Sequence, residues 1–423
     1  MIIQRPQIRS EAGEIVVTAA VDSERRSPRQ PDALWFGFPE SVGGFVTDRA
    51  DGFAAALLPL AMSRGESLTV HGELSYRLAR GLREYQGLQS TWKPKRFQPV
   101  TITAEALCNR DPAEGTGAVG SAFSGGIDSF HTLQSHIGES EPYAPYRISH
   151  CLMINGFDPD ADLDNTGSFA AIQRIYEPLM ERLGIQLVVV RTNLLQFLGL
   201  DIQKQSFGAF VTAPALVLGR MFSSFYVPSS YNYTQLHRFH DGSHPAFDHL
   251  VATESLETIH DGGHLTRVEK TLDVANWPET YDLLRVCFNP TGVQEGLNAI
   301  ANCCSCEKCL RTMMTLDIAG ELEKYRCFPN PLSHSDIRRS DYGYPGTRVF
   351  AEEIIDFAKK GGRPNIVRDL RWAIVNSILY RRRLRSVMFA SLRLEERSRP
   401  YAAVMAPAKR LIRRAGIGRG WLY

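Results

Sequence analysis

The sequence predicts an α/β protein whose central part is a doubly wound, mainly parallel sheet, and three observations support this class. From residue 118, apolar strand-like segments alternate with amphipathic helix-like segments, which is typical of a parallel α/β sheet. The first of these strands runs into a glycine-containing turn that is followed at once by a helix. The chain of 423 residues is also long enough for two or three domains.

The alternation defines the elements expected in the central domain, which we place at residues 111–330. Strands are expected at 118–124, 148–156, 185–193 and 223–230, and helices at 128–136, 168–184 and 207–222. Such a succession is that of a Rossmann-like domain, in which ligands bind at the carboxyl ends of the strands.

The flanking regions have different patterns. Residues 1–110 are predicted to form a β-rich N-terminal module, with strands at 14–21, 67–74 and 97–107 and a helix at 52–65. Residues 331–423 are predicted to form a basic helical C-terminal extension, with helices at 347–362 and 366–392. A linker that contains proline and glycine separates the first two parts.

Composition excludes several classes of protein. The chain has 43% hydrophobic and 22% charged residues and a formal charge of +2. These values argue against a disordered chain and against the strongly positive potential of a protein that binds nucleic acid over much of its surface. Residues 381–423, however, carry twelve Arg or Lys and two acidic residues. This segment can contact nucleic acid, an acidic partner or an anionic membrane, or form a solvated helix face. With no signal-peptide core and no long apolar run, we expect a cytoplasmic protein without a transmembrane segment.

The turn after the first central strand has the composition of an anion-binding loop. In Ser124-Gly125-Gly126-Ile127-Asp128-Ser129, the glycines let successive N–H groups point toward one site, and the helix that follows adds its positive N-terminal end. The two serine hydroxyls can donate further hydrogen bonds to phosphate. An aspartate would repel an anion unless Mg²⁺ bridges the two, so the loop predicts a magnesium-bound polyphosphate.

The complete Ser-Gly-Gly-x-Asp-Ser string resembles the pyrophosphate loop of the N-type ATP pyrophosphatases, the PP-loop superfamily. The resemblance implies a PP-loop or HUP-type fold and ATP as a bound cofactor. In that superfamily a substrate oxygen attacks the α phosphorus, AMP becomes the leaving group, and the loop retains pyrophosphate. The resemblance would also explain why the loop lacks the lysine of common nucleotide-binding loops.

A cluster of cysteines is the second strong signal. Cys303, Cys306 and Cys309 form a C-x2-C-x2-C run, and Cys287 is a fourth thiolate upstream. Four thiolates at such spacing suit a tetrahedral Zn²⁺ ion. Cys304 is then the spare, although it could replace Cys303. An iron–sulfur cluster or unligated thiols are the alternatives.

The cysteine run narrows the resemblance to 7-cyano-7-deazaguanine synthase, the QueC family, which has such a run after its ATP domain. Arg267 and Glu269 lie in a helix start similar to one of that family, and the likeness covers residues 118–325. It implies catalytic roles for Asp128, Ser129 and Arg267. It also implies a carboxylate substrate of the 7-deazaguanine type and ammonia or another amine as donor.

The sequence departs from the short enzymes of that family in three ways. Its first two cysteines are further apart, the segment after residue 230 reads differently, and neither flanking region has a counterpart. Enlarged QueC-like proteins of bacterial anti-phage operons have such extensions, so the resemblance implies a defence role and protein partners from the same operon.

Polar residues after the other strands supply further candidates. Asn155 and Arg191 follow the second and third strands and are expected to bind ATP. Ser243, His244 and Asp248 lie in a histidine-rich segment after the fourth strand, where glycine and proline can shape a rigid loop, and are expected to contact the substrate.

Two other functions fit the same features. A tRNA-modifying relative would use the same loop with a reactive cysteine, for which Cys151 is the candidate, and the basic C-terminal segment would bind RNA. The second alternative is a protein without turnover, which binds nucleotide and serves as an assembly subunit of a defence complex.

Overall fold

The computed structural model describes residues 1–397 except 12, 28–29, 110–114, 158–162, 164–166, 288–292 and 295–298. Among these it does not describe the side chains of 167–168, 293 and 381–397. The chain divides into two compact units, Met1–Leu332 and Ser333–Tyr423. The α/β class is confirmed, because the first unit contains a large, mostly parallel mixed sheet with helices.

Eleven strands of the described residues form this sheet. They are β1 (Ile2–Ile3), β2 (Gln7–Glu11), β3 (Glu14–Asp22), β4 (Ala33–Pro39), β5 (Leu68–Ser75), β6 (Ile102–Cys108), β7 (Ala118–Ala122), β8 (His150–Asn155), β9 (Gln186–Thr192), β10 (Phe222–Pro228) and β11 (Glu257–Asp261). A separate short antiparallel pair consists of β12 (Val293–Gln294) and β13 (Ala299–Ile300).

The helices of the described residues lie between and after these strands. In the first unit they are α1 (Asp51–Arg64), α2 (Tyr76–Trp92), α3 (Ile127–Ser135), α4 (Gly167–Leu183), α5 (Leu194–Gln205), α6 (Phe207–Val217), α7 (Tyr233–Arg238), α8 (Arg267–Ala275) and α9 (Glu307–Ala319). In the second unit they are α10 (His334–Arg339), α11 (Pro345–Lys360) and α12 (Pro364–Arg397).

The central part of the sheet is a doubly wound arrangement of five parallel strands. Their spatial order is β9-β8-β7-β10-β11, so the chain builds outward from β7 in one direction and then returns to build on its other side. The connection that leaves β7 leads to one side of the sheet, and the connection that leaves β10 leads to the other side, so a crevice is expected between the carboxyl ends of these two strands. In open α/β sheets this switch point is where ligands bind, at the carboxyl ends of the strands.

The N-terminal strands continue the same sheet. β4 pairs antiparallel with β9, with Phe36 opposite Thr192, and β3, β1, β5 and β6 follow in order. The boundary predicted near residue 110 therefore falls inside one compact unit. α1 is packed closely on α6, since a Cβ at Gly52 would lie 2.6 Å from the carbonyl oxygen of Ala213.

Each face of the sheet has its own apolar core. One core holds side chains of α1, α2, α5 and α6, including Phe53, Leu82 and Phe210. The other holds side chains of α3, α4, α8 and α9, including Phe130 and Tyr176. The loop between β7 and α3 lies at the edge of the second core, because Phe123 and Ile127 at its two ends are both buried there.

The second unit is helical, as predicted for the C-terminal part. Both α10 and α11 pack against α12. Asp369 of α12 is fully buried and accepts hydrogen bonds from His334 Nδ1 at 2.6 Å and Arg338 Nε at 2.7 Å. Among the residues that the structure describes, no helix is both long and apolar enough to cross a membrane.

Candidate functional site

The loop between β7 and α3 has a backbone that only glycine accommodates at one position. Gly125 has φ +75°, and a Cβ there would lie 1.8 Å from the hydroxyl oxygen of Tyr176. Inside the loop, Ser129 Oγ donates to the carbonyl oxygen of Gly126 at 3.0 Å, and the amide of Ser124 donates to Ser129 Oγ at 3.3 Å. The serines thus hold the turn in shape.

The beginning of α3 leaves backbone amides available to an anion. The first three residues of the helix, Ile127, Asp128 and Ser129, have no intrahelical acceptor for their N–H groups. Gly126 precedes them and makes no side-chain cap. Within the described ranges, no hydrogen bond of these three amides occurs. An anion at this helix end would be stabilised by both the amides and the helix dipole.

Asp128 is paired with cations from α8. Arg267 Nη2 donates to its Oδ2 at 2.6 Å, and Lys270 Nζ lies 3.9 Å from its Oδ1. Oδ1 is buried and accepts no hydrogen bond from any residue that the structure describes. One carboxylate oxygen therefore remains for a metal ion or a ligand group.

α8 presents these two cations from its first turns. Thr266 and Glu269 form a reciprocal capping box that fixes the start of the helix at Arg267. Lys270 is 1% exposed, and its Nζ donates to the carbonyl oxygen of Ser229, just after β10, at 2.6 Å. Sequence reasoning missed Lys270, although its spacing of one residue beyond Glu269 on a helix that carries Arg267 could have suggested it.

A segment upstream of the cysteine run also contacts the loop. The amide of Arg285 donates to the carbonyl oxygen of Gly125 at 2.7 Å, and its guanidinium Nη1 approaches the carbonyl oxygen of Ser124 at 3.5 Å. Arg285 was missed, since no pattern in the sequence connects it with residue 125.

The four predicted cysteines form one group. The Sγ atoms of Cys287, Cys303, Cys306 and Cys309 all lie within 4.8 Å of one another. Pairs among them lie at 3.4, 3.8 and 4.0 Å. Sulfurs that bind one tetrahedral zinc ion at about 2.3 Å lie about 3.8 Å apart, so the set fits a single Zn²⁺. In a four-iron cluster each sulfur binds a different iron, which demands wider spacing.

Cys304 lies outside the group. It has φ +58°, which turns the chain so that its Sγ donates to the carbonyl oxygen of Asn302 at 3.4 Å. Its neighbour Cys303, and not Cys304, is therefore the one that can join a metal ion held by the other three.

The cysteine group lies at the start of α9, and this helix carries further charged residues near the loop between β7 and α3. Cys306 is the N-cap of α9, and Glu307 in the first turn of this helix pairs with Arg311, one turn further along, at 3.5 Å. Burial, together with the nearby Arg311 and Arg267 guanidinium groups, lowers the pKa of Lys308 to about 8, against the opposing effect of Glu307 and Asp128. α9 packs against α8.

Asn155 and Arg191 occupy neighbouring register positions at the ends of β8 and β9. Asn155 is 5% exposed. The Arg191 guanidinium donates to Glu14 Oε2 at 2.7 Å and to the carbonyl oxygen of Leu163 at 2.6 Å, and lies over the Trp35 ring. Arg191 thus ties β9 to the N-terminal strands, and an ATP contact would have to displace one of these partners.

Ser243, His244 and Asp248 form contacts within the protein. Asp248 is fully buried and accepts from Ser243 Oγ at 2.6 Å, with His260 Nδ1 at 2.8 Å from the same oxygen. The His244 ring packs 4.8 Å from the Trp92 ring, and its Nδ1 accepts from the amide of Ala246. A substrate could reach Asp248 only after this segment rearranges.

Two ionisable groups next to this segment have shifted pKa values. Burial raises the pKa of Asp241 to about 6, although the amides of Ser243 and Gly242 oppose the shift. Burial lowers the pKa of Lys93 to about 8, and the carboxylate of Asp241 opposes that shift. Lys93 follows α2, so the N-terminal region supplies a group here that sequence reasoning missed.

A second polar cluster lies behind the loop, between α3 and the end of β11. His136 contacts Asp261 Oδ1 at 2.9 Å and Glu141 Oε2 at 2.8 Å, and Thr132 donates to Asp261 Oδ2 at 2.6 Å. Burial acts to lower the pKa of His136, but the bonds and charges of Asp261 and Glu141 outweigh it and raise the pKa. This cluster fixes α3 against the sheet.

The site therefore comprises the loop with the cations of α8, the Arg285 segment and the cysteine group. Compared with known proteins, the chain matches no family model, no curated protein and no solved structure.

Proposed function

We propose that this protein binds the polyphosphate of ATP at Ser124–Ser129 and cleaves ATP to AMP and pyrophosphate, transferring AMP to a carboxylate of the 7-deazaguanine type. Ammonia or another amine then displaces AMP to form a carbon–nitrogen bond. The observation that carries the proposal is the position of the loop. It follows β7 at the switch point of the parallel strands, and the N-terminus of α3 and the cations of α8 meet there.

The charges around the loop support pyrophosphate as the retained product. Arg267 and Lys270 offset the carboxylate of Asp128, and Arg285 adds a further guanidinium beside Ser124. The three first amides of α3 supply neutral donors. Such donors and cations stabilise the negative charge that develops on the leaving pyrophosphate.

Asp128 fits a role in holding Mg²⁺. Its Oδ1 is buried without a hydrogen bond in the described ranges, and Mg²⁺ is typically held by one or two carboxylates together with substrate phosphates. The ion would neutralise charge on the phosphates. Asp128 would then keep its Oδ2 on Arg267, so that the chain holds metal and phosphate in one orientation.

The roles proposed for the other residues follow from their positions. Ser124 and Ser129 offer hydroxyls to phosphate oxygens, and Gly125 and Gly126 allow the close approach of backbone. Asn155 lies at the end of the neighbouring strand β8, where the adenosine part of ATP would extend. Zn²⁺ at the cysteine group would be structural.

The alternative as a tRNA-modifying enzyme is less well supported. Cys151, the thiol that it would need, is fully buried in β8, and burial raises its pKa. A thiol of this kind is not nucleophilic at neutral pH. The other alternative is nucleotide binding without turnover, as part of a defence complex. It is supported by the ion pair of Arg267 with Asp128, because a neutralised carboxylate attracts Mg²⁺ less strongly.

Product analysis tests the proposal. Purified protein is incubated with ATP labelled at the α or the γ phosphate, Mg²⁺, 7-carboxy-7-deazaguanine and ammonium, and the labelled products are separated. We expect AMP and pyrophosphate in equal amounts. Formation of ADP and phosphate would refute cleavage between the α and β phosphates. Tight ATP binding without either product would favour the binding role.

A further inference from the structure

We infer that Asn302 is a positioning residue that couples the cysteine group to the phosphate loop, so that metal binding orders the loop. The inference deepens the proposed function, because it concerns the residues that would retain pyrophosphate. It is carried by a continuous series of buried contacts from the cysteines to Gly125.

Asn302 lies at the centre of these contacts. It is 1% exposed, and its Oδ1 accepts from the amides of Val286 at 3.0 Å and Cys287 at 3.2 Å. Its Nδ2 donates to the carbonyl oxygens of Leu284 at 2.8 Å and Cys327 at 3.0 Å. The amide oxygen and the amide nitrogen of this side chain therefore both bond to backbone groups, and they hold residues 284–287 and residue 327 together.

The segment that Asn302 holds is the one that contacts the loop. The amide of Arg285 donates to the carbonyl oxygen of Gly125, and the hydroxyl of Tyr176, against which Gly125 packs, donates to the carbonyl oxygen of Leu283 at 2.9 Å. Residues 283–287 thus contact Gly125 directly and through Tyr176. A shift of this segment would change the loop.

The cysteines enclose Asn302 on both sides. Cys303 follows it in the chain, and Cys287 donates its amide to the Asn302 side chain. An ion bound to both thiolates fixes the two partners of this contact. Without the ion, four thiolates would repel one another or take up protons, and the segment would lose one of its constraints.

Hydrogen exchange measures this coupling without reference to catalysis. The full-length protein is compared with and without zinc, and exchange is followed in peptides that contain 124–130 and 283–287. Zinc is quantified in each sample. We expect removal of zinc to speed exchange of the Arg285 amide at least tenfold, together with the hydrogen-bonded amides of Ser124 and Phe130 in the loop and the first turn of α3. Unchanged exchange in the zinc-free protein would overturn the inference.

Asn302 variants test its own role. In Asn302→Ala with zinc still bound, the same amides should exchange as fast as in the zinc-free protein. Asn302→Asp keeps the acceptor for Val286 and Cys287 and should lie between the two; it replaces the alanine variant if that one loses zinc. Asn276→Ala, which removes an exposed amide bonded to Leu272, is the matched control and should exchange like the wild type. Wild-type exchange in a zinc-bound Asn302 variant would contradict the inference.

A titration with magnesium pyrophosphate separates this inference from the proposed function. If the coupling exists and the loop binds pyrophosphate, affinity should fall at least tenfold on zinc removal and in Asn302→Ala. If the zinc-bound wild type binds no pyrophosphate, the proposed function fails, and the exchange data alone still decide the coupling.

Discussion

Asp128 and Asp248 have similar partners but different access to solvent. Each carboxylate contacts a basic side chain through its Oδ2, Arg267 for Asp128 and His260 for Asp248. The side chain of Asp128 remains 17% exposed, at the open edge of the sheet. That of Asp248 is completely buried and packs on α6, where a Cβ at Gly208 would lie 2.0 Å from its Oδ1.

The difference shows that residue type and position after a strand do not by themselves make a ligand site. Asp248 joins Ser243 to His260 and holds a connecting segment in place. Asp128 accepts no hydrogen bond at Oδ1 within the described residues, has Lys270 Nζ 3.9 Å from that oxygen, and lies partly exposed beside open helix amides. Because each carboxylate has one buried oxygen without a hydrogen bond in the described residues, access to solvent and the neighbouring helix amides are what mark Asp128 as the candidate ligand site.

The largest expected effect is on zinc binding at the cysteine group, which would support the region of Asp128. Cys306→Ser should remove bound zinc and lower the free energy of unfolding by about 5 kcal/mol or more, because structural zinc contributes directly to folding. Zinc content and denaturant unfolding measure this. The control is Cys304→Ser, at a position next to the group but outside it, and this variant should retain zinc. If it lost zinc, Cys304 and not Cys303 would be the ligand.

Asp128→Asn should abolish the proposed turnover with little loss of stability. Removing a group that holds charge in the transition state costs about 10²–10³-fold in rate. AMP release at saturating ATP and thermal unfolding are the measurements. An unimpaired rate would exclude Asp128 from the reaction. Loss of the fold would mean that Asp128, like Asp248, has a structural role.

Asp248→Asn should have the opposite profile. Loss of charge-assisted bonds to Ser243 and His260 inside the protein should lower the free energy of unfolding by about 2–3 kcal/mol. Urea unfolding measures this, and Ser243→Ala, which removes one of the two bonds, should cost less. If Asp248→Asn were as stable as the wild type but weakened acid binding, the predicted substrate role of Asp248 would be favoured.

The smallest expected effect concerns pH and the cluster behind the loop. His136 has a raised pKa in the folded protein, so its charged form contributes stability that is complete below about pH 6.5 and is lost as pH rises through the folded value. The neighbouring Asp261 has a lowered pKa, because its bonds to His136 and Thr132 outweigh burial, and this contribution is lost in acid.

Removing the histidine should therefore flatten the profile. His136→Gln should cost about 1–2 kcal/mol near pH 6 and less near pH 8. Unfolding free energies across this range, with the exposed His249→Gln as control, measure the effect. An equal loss at both pH values would mean that His136 acts through shape and not through charge.

The sequence predicted much of the central sheet and the grouping of four cysteines. Patterns of period 2 and 3.6 indicated β3, β5, β7 to β10, α1, α3, α4, α6 and α11, and the cysteine spacing indicated the group that the structure brings together. β2, β4, β11, α2 and α5 are among the elements that were missed. α2 contains Gly81 and Gly87, which disfavour helix, yet Gly81 is needed because a Cβ there would lie 2.0 Å from the carbonyl oxygen of Leu250.

The sequence by itself determined the local features of this protein: the turn at Gly125, the helix start after it, and the cysteine spacing. Each depends on the conformational and chemical properties of residues close together in the chain. Only the tertiary structure decided that Arg285 and Asn302 connect the cysteines to the loop, that Lys270 approaches Asp128, and that Asp248 is sealed. These relations join residues far apart in sequence, and packing, which no local pattern encodes, sets them.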